Sequence, residues 1–158
     1  MSDYIMELRK IVGHRLLLSP GASVIVEDEA GRALLELRHD NGCWGYAGGA
    51  VEMDEVVEDA ARRELFEETG LVAGALELFG VFSGPESHFY YPNGDEVSYV
   101  ELVYICRDWS GTLRPQPGEV DGFVWMTREE FFAKHKLHPE KFVDHPKDFQ
   151  WLMDNAGR

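Results

Sequence analysis

The chain has 158 residues, 44% of them hydrophobic, with 29 acidic against 15 basic side chains and a formal charge of −14. That length and apolar content suit one sizeable core, a single domain over residues 1–158, and exclude a disordered chain. The negative charge argues against broad binding to a nucleic-acid backbone, which needs a positive surface. No run approaches the roughly 18 apolar residues of a membrane span. The opening MSDYIMELRK is mixed and polar, unlike a secretory signal, and Cys43 and Cys106 have no paired spacing. The expectation is a cytoplasmic protein with reduced thiols and neither membrane nor nucleic acid as partner.

The first predicted element is a short helix over Tyr4–Val12, with Ile5, Leu8 and Val12 on one face. Ala22–Glu27 reads as a buried strand and Ala33–Arg38 as its partner, joined by the turn residues Asp28 to Arg32. Trp44–Ala47 is a short extended piece leading into Gly48-Gly49. A helix is predicted from Asp54, which can cap its N-terminus, to Thr69, with Gly70 suited to the left-handed position past its end. Ala75–Phe82 and Val97–Arg107 read as strands, with the Asn93-Gly94 pair as a tight turn between them. Gly122–Met126 is a further strand. Thr127-Arg128-Glu129-Glu130 resembles a capping box opening a helix to about Lys134, and Pro146 suggests a C-terminal helix to about Met153. Strands interleaved with helices imply an α/β protein with a mixed sheet covered on both faces.

The long helix carries the chemistry. Projected at 3.6 residues per turn, Val57, Ala60 and Ala61 form an apolar sector, and Glu64, Glu67 and Glu68 continue it at i, i+3, i+4. Glu58, Asp59 and Arg62 fall on the opposite side, towards water. Three clustered carboxylates facing inward repel one another and are costly to desolvate unless protonated or neutralised. A hard divalent metal such as Mg²⁺ or Mn²⁺ neutralises them best, because it prefers carboxylate oxygen.

Gly49, then Glu55, then Arg63-Glu64-Leu65-Phe66-Glu67-Glu68-Thr69-Gly70-Leu71 resembles the complete signature of the Nudix hydrolases, spanning 49–71. The resemblance implies the Nudix fold, a mixed β-sheet sandwiched between α-helices, and hydrolysis of a diphosphate linked to another moiety. It implies one to three Mg²⁺ or Mn²⁺ ions on Glu64, Glu67 and Glu68, with the Gly48 carbonyl as a further ligand. Arg63 would hold a carboxylate such as Glu55 by a bidentate pair. Glu119, just before a strand, matches where many relatives place another ligand or base, and the general base stays open among Glu67, Glu68 and Glu119. Ala47 and Asp54 depart from the family pattern, which commonly has proline and glycine there.

Substrate contacts are expected from Arg38 and His39 at a strand end, and from Trp44 and Tyr90 as stacking partners. Pro85, about fifteen residues after the signature, points towards ADP-ribose among relatives. The expected activity is therefore divalent-metal-dependent cleavage of a nucleoside diphosphate derivative, ADP-ribose or another nucleotide sugar. The alternatives are a house-cleaning nucleoside triphosphate pyrophosphohydrolase and a non-catalytic nucleotide sensor. The resemblance also suggests a homodimer.

Overall fold

A computed structural model describes residues 3–91 and 93–142. Helix α1 spans Asp3–Val12, and the long strand β1 spans Leu17–Val26. Then come β2 (Ala33–Arg38), β3 (Trp44–Gly45), β4 (Ala47–Ala50) and helix α2 (Val57–Thr69). Strands β5 (Leu71–Ala73), β6 (Glu77–Phe82), β7 (His88–Tyr90) and β8 (Glu96–Cys106) follow, and then β9 (Trp109–Gly111), β10 (Val120–Met126) and helix α3 (Arg128–Leu137). The predicted helix beginning near Pro146 lies outside the described residues.

The α/β class expected from the sequence is present, with the strands divided between two main sheets. One has the order β4-β1-β8-β6, with β7 also on β8; the other is β10-β2-β3, and β5 and β9 form a small pair. Strands β1 and β8 run parallel over ten residues, from Leu17 beside Val97 to Val26 beside Cys106. This pairing makes the first sheet mixed, since β4, β6 and β7 are all antiparallel to their neighbours.

Period-two alternation divides the first sheet into two faces with different work. Ala22, Val24, Val26, Tyr104 and Cys106 point into the core beneath α2, where they meet Ala60, Ala61 and Leu65, each fully buried. The two alanines let the helix lie close to β4 and β1. A second core gathers Leu35, Met126, Phe131 and Phe142 between the second sheet and α3. Glu27, at the end of β1, is buried but receives Arg107 Nε at 2.9 Å and Arg128 Nη2 at 3.0 Å, so its charge is paired on both sides.

Four differences from the sequence expectation have physical causes. Strand β1 begins five residues before Ala22 and runs through Pro20 and Gly21, which read as breakers. It tolerates Pro20 because β4 pairs only with Gly21 to Val24, so on that side residue 20 owes no ladder donor. Helix α2 starts at Val57, not Asp54; its N-cap is Val56, with no side-chain cap bond. Asp54 has a φ of 59°, left-handed backbone that a glycine would take more readily. Arg62 does not remain in water: it donates to the Ala73 carbonyl at 2.8 Å and to that of Gly74. Strands β5, β7 and β9 are three residues each, too short to carry a period. The capping box at Thr127 and Glu130 forms as read, and Gly70 closes α2 with a φ of 76°.

Candidate active site

The other face of the first sheet forms the floor of a cleft of about 390 Å³. Ser19, Gly21 and Ser23 of β1 stand beside Tyr99, Glu101 and Val103 of β8, all on this side. Strand β4 and helix α2 supply one wall, with Gly48, Glu64, Glu67 and Glu68 lining it.

The three helix carboxylates enter the cleft at different depths. Glu68 is buried at 8% exposure. The Glu64 side chain is 16% exposed and that of Glu67 44%, so the row runs from interior to mouth. Gly48 N donates to Glu68 Oε1 at 2.8 Å, tying strand to helix. Gly49 makes room for Glu64: a Cβ there would lie 2.5 Å from the Glu64 carboxyl carbon. Gly49 thus accommodates a carboxylate that a side chain would displace, whereas Gly48 lets β4 lie close to β1, where a Cβ would meet Ser23 and the Ala22 carbonyl.

Arg63 organises this wall. Its Nε and Nη2 meet both oxygens of Glu55 at 2.7 and 2.9 Å, the bidentate pair expected from the sequence. Its Nη1 reaches Glu64 at 2.7 Å and Glu67 at 3.4 Å, and Nη2 reaches the Ala50 carbonyl at 3.2 Å. Glu55 also accepts from the Glu52 amide at 2.9 Å, which fixes the left-handed turn before the helix. Arg63 holds the Glu55 carboxyl below the usual carboxylate range. Burial pushes Glu64 up, against the pull of Arg63.

One residue at the site was missed by sequence reasoning. Glu36, on β2, is 2% exposed, and among the described residues neither of its carboxylate oxygens has a hydrogen-bond donor outside its acidic neighbour. Its close neighbour is the Glu68 carboxyl; burial pushes both groups upward, and the charge of Glu36 adds to the rise at Glu68, to about 10, while the hydrogen bond between the two pulls Glu36 back down. The two therefore share a proton when nothing else neutralises them. The signal was present in ALLELR, where an acid breaks an otherwise apolar strand, but a single strand acid is more often a solvated one.

Glu119 is brought to the cleft by the loop after β9. That loop satisfies the open carbonyls at the end of α2: Arg114 N donates to Thr69 O at 2.8 Å and Gln116 N to Glu68 O at 3.3 Å. The Glu119 carbonyl then accepts from His39 N at 2.9 Å. Arg38 lines the cleft and makes a two-point pair with Asp40 at 3.1 and 2.8 Å. The other expected substrate contacts do not line it. His39 is exposed and paired with Asp121 at 2.9 Å. Trp44 packs on the second core beside Phe142. Tyr90 is 74% exposed and stacks on His88, because β7 alternation turns Phe89 and Tyr91 towards the cleft instead.

The family model described as the NUDIX domain matches residues 17–145. The chain belongs to the Nudix family. An ADP-ribose pyrophosphatase of Methanocaldococcus jannaschii is 34% identical over 151 residues, covering 92% of this chain and 80% of that protein. A MutT-like protein of Streptomyces ambofaciens is 34% identical over 109 residues, covering 69% of this chain and 63% of that protein. Among solved structures, a MutT NUDIX hydrolase from Burkholderia pseudomallei aligns with a TM-score of 0.62 at 30% identity, over 72% of this chain and 85% of that one. Nudix hydrolases generally use divalent metal ions and act on small nucleotide-derived substrates.

The residues present suit such an ion. Among the described residues no three acidic, histidine or cysteine side chains form a closed ligand set; Arg63 holds Glu64 and Glu67, and the Gly48 amide holds Glu68. Yet the donors are all oxygen, and two buried carboxylates, Glu36 and Glu68, lie against each other. A divalent ion drawing in Glu64, Glu67 and Glu68 would relieve that repulsion.

Proposed function

We propose that this Nudix hydrolase cleaves, with a divalent cation, the diphosphate bond of a nucleoside diphosphate linked to another moiety, ADP-ribose or another nucleotide sugar. The observation that carries the reading is one cleft joining a carboxylate wall to a floor of aromatic and hydrogen-bonding side chains. Such a cleft suits a ligand with an anionic centre and an organic arm. The name of the archaeal relative supports the choice of ADP-ribose.

Glu64, Glu67 and Glu68 would hold Mg²⁺ or Mn²⁺, one to three ions, with Glu119 and the Gly48 carbonyl as further donors. When bound, the metal neutralises phosphoryl oxygens and acidifies water. Arg63 holds Glu64 and Glu67 through its Nη1 and is itself braced by Glu55 through Nε and Nη2. Arg38 would take a phosphate oxygen in place of Asp40, since its planar fork suits either anion. A carboxylate among Glu67, Glu68 and Glu119 would accept the proton of the attacking water.

Separating the products by chromatography tests the substrate class. ADP-ribose should give AMP and ribose phosphate in the presence of Mg²⁺ or Mn²⁺. Release of pyrophosphate from nucleoside triphosphates, with ADP-ribose left intact, would favour the house-cleaning reading. That alternative draws on the MutT names among the relatives. Binding of nucleotides with no turnover of any would leave the sensor reading.

A further inference from the structure

The floor of the cleft holds a carboxylate that the diphosphate chemistry does not use. Glu101 sits on β8 between Tyr99 and Val103, on the face that lines the cleft. Its Oε1 accepts from the Ser23 hydroxyl, and Oε2 lies over Gly21, where a Cβ would overlap it. Among the described residues nothing donates to Oε2. Gly21 faces Glu101 across the parallel pair, so a side chain at that position is missing where this carboxylate needs the space.

The surroundings are built for a ring. The Tyr99 hydroxyl is hydrogen-bonded to that of Tyr91 at 2.7 Å, and Phe89 packs edge-on against Tyr99 with centroids 5.5 Å apart. Both tyrosines and Phe89 line the same cleft as Glu101. Burial pushes the Glu101 carboxyl up, while the Ser23 bond and the charge of Arg38 pull it down. Gly48 pairs with Ser23, and Ser23 with Val103, so Gly48 and Glu101 lie on strands two spacings apart. That is on the order of 10 Å across the sheet, a reach from the diphosphate site to a ring carried on it.

An ionised carboxylate accepts and never donates, so it selects ligand groups that offer O–H or N–H. A purine edge such as that of adenine alternates donor and acceptor and leaves one carboxylate oxygen facing a lone pair. A sugar cis-diol offers two neighbouring donors, and its apolar face suits an aromatic wall.

We propose that Glu101 is a specificity-determining residue that receives the cis-diol of a substrate ribose beside Tyr99 and Tyr91. This rests on the reading of the site as a nucleotide-sugar hydrolase. The diol can come from the nucleoside ribose or from the terminal ribose of ADP-ribose, and separate analogues distinguish the two.

The test compares kcat/KM for ADP-ribose with two 2′-deoxy analogues, one lacking the hydroxyl on the adenosine side and one on the terminal ribose. It is run on the wild type, Glu101→Gln and Gly21→Ala. A hydrogen bond to a charged group implies that the wild type disfavours one analogue by about tenfold or more. Glu101→Gln, which keeps the shape, and Gly21→Ala, which moves the carboxylate, should each collapse that ratio towards one, and an unchanged melting temperature would show that both variants fold. Equal use of ADP-ribose and both analogues by the wild type would overturn the assignment while leaving the hydrolase reading standing. So would a deoxy ratio that survives in Glu101→Gln, or a lost discrimination that follows adenine against guanine instead of the hydroxyl. No turnover of ADP-ribose by the wild type would overturn the substrate reading and this inference with it.

Discussion

Replacing Glu68 by Gln should make the metal-free protein more stable. Glu68 is 8% exposed beside a still more deeply buried Glu36, and its carboxyl is pushed up from an ordinary value of 4.5 to about 10. The folded chain therefore keeps a proton that the unfolded chain releases. For an acid raised in this way, the contribution to stability is fully present below about pH 4.5 and is lost as pH rises towards about 10. At pH 7 the loss spans roughly 2.5 pH units at about 1.4 kcal/mol each, or about 3 kcal/mol. Gln is neutral at every pH and can donate to Glu36, so it removes that loss. Urea or thermal unfolding in chelator, from pH 5.5 to 8.5, reads the effect. Glu68→Gln should melt higher by about 6–12 °C at pH 7, and its stability should fall less steeply with pH than that of the wild type. Saturating Mg²⁺ should narrow or reverse the gap, because only the wild type gains a full ligand set. A variant less stable than the wild type in chelator at pH 8, with the same pH slope, would refute the reasoning.

Two other substitutions probe the wall from its backbone. Asp54→Gly should raise the melting temperature by up to about 4 °C, because Asp54 holds a φ of 59° that glycine adopts without a Cβ clash, worth up to about 1 kcal/mol; a lower melting temperature would show that the Asp54 side chain contributes something the turn geometry does not explain. Gly49→Ala places a Cβ 2.5 Å from the Glu64 carboxyl carbon and should cut cation-dependent kcat/KM by about 10–100-fold. Its melting temperature should change little, since the clash is with the end of a flexible side chain; retained activity would mean that Glu64 is free to sit elsewhere.

Much of the site was legible because its residues lie in one local helix. Spacing alone grouped Glu64, Glu67 and Glu68, and Arg63 found Glu55 within eight residues. What escaped was set by pairings distant in sequence. Glu36 meets Glu68 only in the folded chain, where β2 of the second sheet comes up to the end of α2, and Glu101 reaches Ser23 only because β1 and β8 are parallel neighbours. Aromatic identity without register was ambiguous in the same way: of the aromatic residues able to stack on a base, Tyr91 lines the cleft with Phe89 while Tyr90 turns away, and Trp44 packs in the second core. Asp54 shows the converse limit. An acid before a helix reads as a cap, but its left-handed backbone and the true cap at Val56 follow from the turn that Glu55 ties to Glu52. The strand framework was easier, since the apolar opening of Ala33–Arg38 and the Asn93-Gly94 turn are local features.

The central claim is that the Glu-rich wall of α2 works through a divalent cation on a nucleotide diphosphate. The most direct measurement is ADP-ribose hydrolysis by the wild type, Glu67→Gln and Glu68→Gln, each titrated with Mg²⁺ or Mn²⁺ and reversed with chelator. Turnover by the wild type should appear with the cation, vanish with chelator and be largely lost in both variants. Turnover that survives in both variants, or that ignores the chelator, would contradict it.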